Sequence, residues 1–293
     1  MNYRHFFHAG NFADAMKHAL LLRLLRALQK KEKGFLYLDT HAGRGRYDLA
    51  AAASGDSLAR KPEWPEGIGR LWARADLPPA VAEYAEVVRE FDRQKGNLEK
   101  ELRFYPGSPS IARALRRPQD RLALAEKHPA ECAALQEEFY FEARSAATVQ
   151  EIDGYVALRA LLPPPERRAL ILIDPPFEAR DEFAQIAVAL AEGLRRLASG
   201  VFAVWYPLTE RARVDEFFAA VRALRPPPTL AAELTIAGPQ APMKMKGCGL
   251  LVINPPWQFD GEARAILEFL AVALAQAPGG EGRVDWVVGE TVA

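Results

Sequence analysis

"FLYLDTHAGRGRYDL" (Phe35–Leu49) is the stretch on which the fold turns. An apolar run ends in Asp39 and passes directly into a turn carrying Gly43 and Gly45. The run reads as a buried strand, and glycines just past a strand let backbone approach a ligand where a Cβ would stand in the way. A lone G-x-G fits many tight turns, so its surroundings must supply the weight. A dinucleotide site would carry a third glycine three positions on, but that position is Asp48, which disfavours a nicotinamide dehydrogenase.

Outward from this turn, further buried strands recur: "RLALAE" (Arg121–Glu126), "ALILID" (Ala169–Asp174), "GVFAVWYPL" (Gly200–Leu208) and "GLLVIN" (Gly249–Asn254), with a weaker one ending before Asp153. Helical stretches separate most of them, notably Glu182–Ala198. Near-continuous apolar strands alternating with helices predict a mostly parallel α/β sheet covered on both faces. "NFADAMKHALLLRLLRALQK" (Asn11–Lys30) reads as a helix capped by Asn11, with Asp14 at its positive end and Met16, Leu20, Leu24 and Leu28 as its apolar stripe. "LAAELTIAGPQAPMKMKGCGLLVIN" reads as an antiparallel hairpin at the sheet edge.

One interval is anomalous. In a nucleotide-binding βαβ unit an acid ends the second strand about 20 residues beyond the glycine turn, yet Glu126 lies 87 positions after Asp39. The excess holds proline punctuation and two helical patterns within residues 62–96. It predicts a small helical subdomain, residues 54–104, inserted into one Rossmann-like domain formed by residues 1–53 and 105–293, in which 1–33 are an N-terminal arm and helix. Two separate domains are the alternative. After the insertion, "YPGSP" leads into a helix that Ser108 is placed to cap, with Pro109 in its first turn.

The strand ends carry the chemistry. An S-adenosylmethionine site needs close backbone approach, polar groups for the amino-acid moiety and an acid for the ribose. Glu126 suits the ribose, and Asp153 of "EIDGY" could accept from the donor's adenine amine. A capping acid and an ordinary Asp-Gly turn are the plainer alternatives. "DPPF" (Asp174–Phe177) is the sharpest signal. An exocyclic adenine amine is a poor nucleophile because its lone pair is delocalised. A carboxylate from Asp174 and a rigid carbonyl from Pro175 could accept its two N–H groups, and Phe177 could stack on a base taken out of its helix. "NPPW" (Asn254–Trp257) has similar residue types but follows the hairpin, so it is expected to close that hairpin or to rim the site.

Bulk numbers bound the rest. The chain has 293 residues, 49% of them hydrophobic, with 38 Lys plus Arg against 38 Asp plus Glu. Net charge therefore names no partner, but residues 1–46 hold nine Lys/Arg against three acids, which suits a polyanion near the glycine turn. "YRHFFHAGNFAD" (Tyr3–Asp14) mixes aromatic, imidazole and guanidinium groups suited to single-stranded nucleic acid. Cys132 and Cys248 make no disulfide framework, and His5 and His8 lack partners for a metal site. No apolar run approaches the roughly 18 residues of a membrane span, and "MNYRHFFHAG" lacks a signal-peptide core. A cytoplasmic protein without metal or membrane association is expected.

Together "YRHFFHAGNFADAMKH", "FLYLDTHAGRGRYDL", "RFYPGSPSIA", "LILIDPPF" and "LVINPPW" resemble, nearly end to end, the bacterial 23S rRNA adenine-N6-methyltransferase family RlmJ. The resemblance implies a Rossmann-like class I methyltransferase with a helical subdomain inserted after the first strand. It implies S-adenosylmethionine as donor, no metal, and one adenine of 23S rRNA as target, preferentially in free RNA; the protein is expected to be a monomer. By motif position, Asp174 would be the catalytic acceptor. His18, His41, Ser108, Glu126, Asp153, Gly154 and Asp174 would contact the donor, and Tyr3, with Phe177, would face the substrate. Phe177 stands where Tyr is commoner, and Phe6 replaces a smaller polar residue. The rivals are a DNA adenine-N6-methyltransferase and a non-catalytic RNA-binding protein with a vestigial donor pocket.

Overall fold

The structure, a computed structural model, describes residues 7–54, 61–141 and 146–289. Helix α1 (Phe12–Gln29) begins at Asn11, whose side chain accepts from the Ala13 and Asp14 amides. Strand β1 (Leu36–Asp39) follows, then the glycine turn and β2 (Arg46–Asp48). The chain leaves through α2 (Leu49–Ser54), α3 (Ile68–Trp72) and α4 (Pro79–Gln94) and returns as β3 (Phe104–Pro106). Strands β2 and β3 pair antiparallel, Tyr47 opposite Tyr105, so the excursion leaves and re-enters at neighbouring points. Helix α4 lies against α1, where Glu83 binds both Arg23 (2.9 Å) and Arg26 (2.7 Å).

The remaining elements alternate: α5 (Ser108–Leu115), β4 (Arg121–Glu126), α6 (Pro129–Glu138), β5 (Ala147–Glu151), α7 (Gly154–Leu161), β6 (Ala169–Ile173), α8 (Glu182–Arg196), β7 (Val201–Pro207) and α9 (Arg211–Ala223). Strands β8 (Thr229–Thr235) and β9 (Gly247–Ile253), helix α10 (Phe259–Ala273) and strand β10 (Glu281–Val288) complete the chain. Among the described residues the large sheet has eight strands in the order β10-β8-β9-β7-β6-β1-β4-β5. Pairing is parallel from β5 through β7, antiparallel beyond it. This is the doubly wound, Rossmann-like class I arrangement, mostly parallel with antiparallel strands at one side.

Period-two alternation builds the two cores. Leu170 and Leu172 of β6 face α1, α5 and α10, whereas Ile171 and Ile173 face α7, α8 and α9. Each layer stabilises the sheet at roughly 25 cal/mol per Å² of apolar surface buried. One sequence expectation needs correction here. The β8–β9 hairpin is not the edge, because β10 pairs with β8 outside it. Strand β10 carries Glu281, Arg283 and Asp285 among its apolar residues, as an exposed edge strand does, and this masked it in the sequence. No described helix is long and apolar enough to cross a membrane.

Candidate active site

Parallel strands deliver their C-terminal ends to one edge of the sheet, and a ligand crevice opens where the connections diverge to opposite faces. Strands β1 and β6 are neighbours here, so the glycine turn after Asp39 and the DPPF segment after Ile173 start side by side. A cleft of about 1750 Å³ opens there. His18, His41, Ser108, Glu126, Asp153, Gly154, Asp174, Pro175 and Phe177 all line it, although the sequence spreads them over more than half the chain. Tyr3 and Phe6 lie outside the described residues.

The turn requires its glycines. Gly43 has φ +60° and Gly45 φ +75°, the left-handed region that side chains disfavour. The Gly43 amide donates to Glu126 Oε2 (2.8 Å), and the His128 amide donates to Glu126 Oε1 (2.7 Å). Two backbone donors thus orient the acid at the end of β4, while a carboxylate keeps further lone pairs for hydroxyl donors. Gly154 has a different reason to be glycine: an added Cβ would fall 2.0 Å from the Thr40 carbonyl oxygen. Its bareness lets α7 start directly on the end of β1.

Asp153 caps α7, accepting from the Tyr155 (3.0 Å) and Val156 (3.4 Å) amides, and its other oxygen pairs with Lys127 (3.0 Å). Partial burial pushes its pKa up, but Lys127 and the cap outweigh that and leave it below the usual carboxylate range. His41 is half-buried, with Nδ1 against Thr40 Oγ1 (2.8 Å) and its ring edge-on to Tyr155. Burial lowers its pKa to about 4 against the fields of Asp174 and Asp153, so it is a neutral imidazole near pH 7.

Ser108 corrects a second expectation. The N-cap of α5 is Gly107, and Ser108 is already inside the helix. Its hydroxyl donates to Asp39 Oδ2 (2.7 Å), which also accepts from Tyr37 Oη (2.8 Å). Asp39 is fully buried; desolvation raises its pKa to about 6 although these donors work to lower it. His18 Nδ1 lies 2.7 Å from Tyr105 Oη, which in turn lies 2.8 Å from Tyr84 Oη. This hydrogen-bonded series ties α1 to β3 and α4.

The centre of the cleft floor was not foreseen. Lys17, with its side chain only 6% exposed, places Nζ 2.5 Å from Asp174 Oδ2 and 2.9 Å from Asp14 Oδ1. Asp14 Oδ2 also accepts from the Gly10 amide (2.9 Å). Burial disfavours the Lys17 charge, but Asp14 and Asp174 overcome it and raise its pKa well above the ordinary value. In the sequence Lys17 and Asp14 count only as helix charges. The available signal is their i, i+3 spacing in a helix whose other faces are almost continuously apolar.

Beyond Asp174, Pro175 is buried and Phe177 adopts φ +52°, a conformation rare for a bulky side chain. Its half-buried ring is held edge-on by Phe183 (5.0 Å) and Trp205 (5.7 Å). Asn254 lies away from the cleft, so its motif does not rim the site, but it does close the hairpin: its backbone amide donates to the Pro228 carbonyl (2.9 Å) at the open end of β8–β9. Strand β9 runs antiparallel to β7, so its C-terminal end emerges at the opposite edge of the sheet. There Asn254 Nδ2 donates to the carbonyls of Ala198 and Gly200, both at 2.8 Å. Trp257 is 77% exposed and absent from the cleft. The arrangement thus offers one anionic acceptor, Asp174, beside a backbone-lined cradle ending in Glu126. No cluster of three or more potential metal ligands occurs among the described residues.

Residues 32–288 match the family described as "Ribosomal RNA large subunit methyltransferase D, RlmJ". The chain is 40% identical over 290 residues to the ribosomal RNA large subunit methyltransferase J of Escherichia coli (strain K12), covering 99% of this chain and 100% of that one. The protein of the same name from Haemophilus influenzae is 39% identical over the same span and coverage. A crystal structure of a Legionella pneumophila protein superposes with TM-score 0.84 at 38% identity, covering 95% of this chain and 98% of that one.

Proposed function

Because the chain belongs to the RlmJ family of ribosomal RNA large subunit methyltransferases, we propose that it methylates N6 of one adenine in 23S rRNA, using S-adenosylmethionine and acting on free rRNA. The observation that carries this reading is the position of Asp174: held by Lys17 at 2.5 Å, it stands at the end of β6, next to the glycine turn of β1. The backbone of the turn, with His18, His41, Ser108, Glu126, Asp153, Gly154 and Asp174, would hold the donor. Bound there, S-adenosylmethionine supplies an electrophilic methyl group with its own leaving group.

The protein's task is then to place and polarise the amine. Asp174, held in place by the Lys17 ammonium at 2.5 Å, accepts one N6–H, and the Pro175 carbonyl accepts the other. The lone pair is thereby drawn out of conjugation toward the methyl group. Phe177 supplies the stacking face, pre-set by Phe183 and Trp205. We further read residues 54–104 as an inserted helical subdomain that braces α1, and the protein as a cytoplasmic monomer with Tyr3 on the substrate side.

Labelled donor offered separately to protein-free 23S rRNA and to duplex DNA, followed by nucleoside mass spectrometry, tests the proposal. N6-methyladenosine in the rRNA is expected, and Asp174→Ala should lower its rate by roughly 10²–10³-fold even at saturating donor. Label in DNA alone, or a rate unchanged by Asp174→Ala, overturns it.

A further inference from the structure

The cations that line the cleft fall into two sets. Lys17, Arg44 and Lys127 are each matched to carboxylates: Asp14 and Asp174, Glu131, and Asp153. Lys61, Arg213 and Lys244 line the same cleft and have no carboxylate partner among the described residues. Arg213 and Lys244 belong to the wall beside DPPF, since α9 follows β7, the neighbour of β6, and Lys244 lies in the connection that enters β9.

Arg213 is held by its own contacts, and the segment that carries Lys244 by those of its neighbours. In "MKMKG" (Met243–Gly247) the two methionines are half-buried against the core, so the intervening Lys244 is turned outward and exposed. Lys246 donates to the Pro239 carbonyl (2.7 Å) and the Leu208 amide donates to that of Gly247 (2.9 Å), which secures this connection to β7. Arg213 lies over the Phe183 ring and donates one N–H to the carbonyl of Arg180, just past DPPF. Its remaining donors are uncommitted. Glu182, an acid on the same wall, is already bound by Tyr155 Oη (2.7 Å).

We infer that Arg213 and Lys244 form a phosphate grip for the RNA strand on either side of the target adenosine. This rests on the proposed rRNA substrate. A base drawn down to Asp174 leaves its ribose and flanking phosphates at the mouth of the cleft, where unneutralised cations on a fixed wall meet them. An arginine with free donors matches a phosphate bidentately, and an exposed lysine adds a point charge. These residues set strand position and affinity and take no part in the chemistry at N6.

The test is steady-state methylation of protein-free 23S rRNA across a salt series by the full chain carrying Lys244→Gln, Arg213→Gln or both. Each single change should raise KM for RNA roughly tenfold and reduce the slope of log affinity against log salt by about 0.7, the double by about 1.4. In Lys244→Gln the kcat, the thermal midpoint and donor affinity should stay at parental values, whereas Arg213→Gln also loses its Phe183 and Arg180 contacts, so its KM and salt slope are read below its lowered thermal midpoint. Arg195→Ala, on the exposed face of α8 and outside the cleft, should leave all readouts unchanged. Parental KM and salt slope in the double variant overturn the grip while leaving the rRNA assignment intact. A wild-type protein that does not methylate rRNA overturns both. A Lys244→Glu variant gives a second arm, because charge reversal must raise KM beyond Lys244→Gln if the contact is electrostatic.

Discussion

The Lys17 ammonium lies 2.5 Å from Oδ2 of Asp174, joining positions 157 residues apart, and touches Asp14 Oδ1 on its other side. One cation thus serves a buried carboxylate, Asp14, and a half-buried one, Asp174, at the base of the cleft. Replacing it as Lys17→Met leaves buried Asp14 with the Gly10 amide but without this cation, and Asp174 without its Lys17 counter-ion, at a cost of roughly 3 kcal/mol. The raised Lys17 pKa means this stabilisation is complete at neutral pH and is lost only as pH climbs through the folded-state value, above the usual lysine range. Urea unfolding at pH 7 should show the loss, with single-turnover methylation reduced even in the fully folded fraction. A Lys17→Met protein as stable and as fast as the parent would contradict the geometry.

Asp39 governs a pH window of its own. Its folded-state value of about 6 exceeds the ordinary 3.8, so the folded protein binds a proton that the unfolded chain has released. Stability attributable to Asp39 therefore falls as pH rises from about 4 to 6, by about 3 kcal/mol in total. His41, lowered to about 4, works in the opposite sense over much of that range: its contribution falls as pH drops below the ordinary histidine value. The difference between parent and Asp39→Asn isolates the aspartate. The variant should gain on the parent as pH rises from 4 to 6, and parallel stability curves would refute the assignment.

Gly154→Ala tests the junction between α7 and β1. The added methyl carbon meets backbone oxygen at 2.0 Å, which no side-chain rotation relieves. Overpacking of this kind costs about 1–3 kcal/mol or more. Because the displaced helix start carries Asp153, donor affinity measured by calorimetry should fall along with the melting temperature. Unchanged donor affinity would show that Asp153 and Gly154 stand clear of the donor.

Asn254→Ala should separate stability from chemistry. It removes two 2.8 Å hydrogen bonds and puts alanine at φ +55°, for a loss of about 1–3 kcal/mol. Methylation per folded molecule should remain within about twofold of the parent, the span expected of a site with no transition-state contact. A drop in kcat comparable to that of Asp174→Ala would place the motif in the reaction.

What could be read beforehand was local. The Asn11 cap, the acids at strand ends and the turn glycines each express a short-range rule, and each appears where that rule put it. Lys17 was opaque because its two partners lie on either side of a long chain separation and nothing in an amphipathic pattern marks a cation as buried. Ser108 looked like a cap because a serine before a proline commonly is one; its hydroxyl instead serves a strand carboxylate that only tertiary packing brings near. Strand β10 escaped because charged residues interrupt its apolar ones, as befits an edge.

The antiparallel course of β9 has a wider consequence. Asp174–Phe177 and Asn254–Trp257 are nearly the same tetrapeptide, each issuing from the end of an apolar strand, yet one enters the cleft and the other ties down a loop on the far rim of the sheet. Polarity is thus an unwritten letter of the motif. A proline pair after a strand addresses a ligand only when the strand points toward it, and reversing one strand turns the same four residues from reagent into fastening.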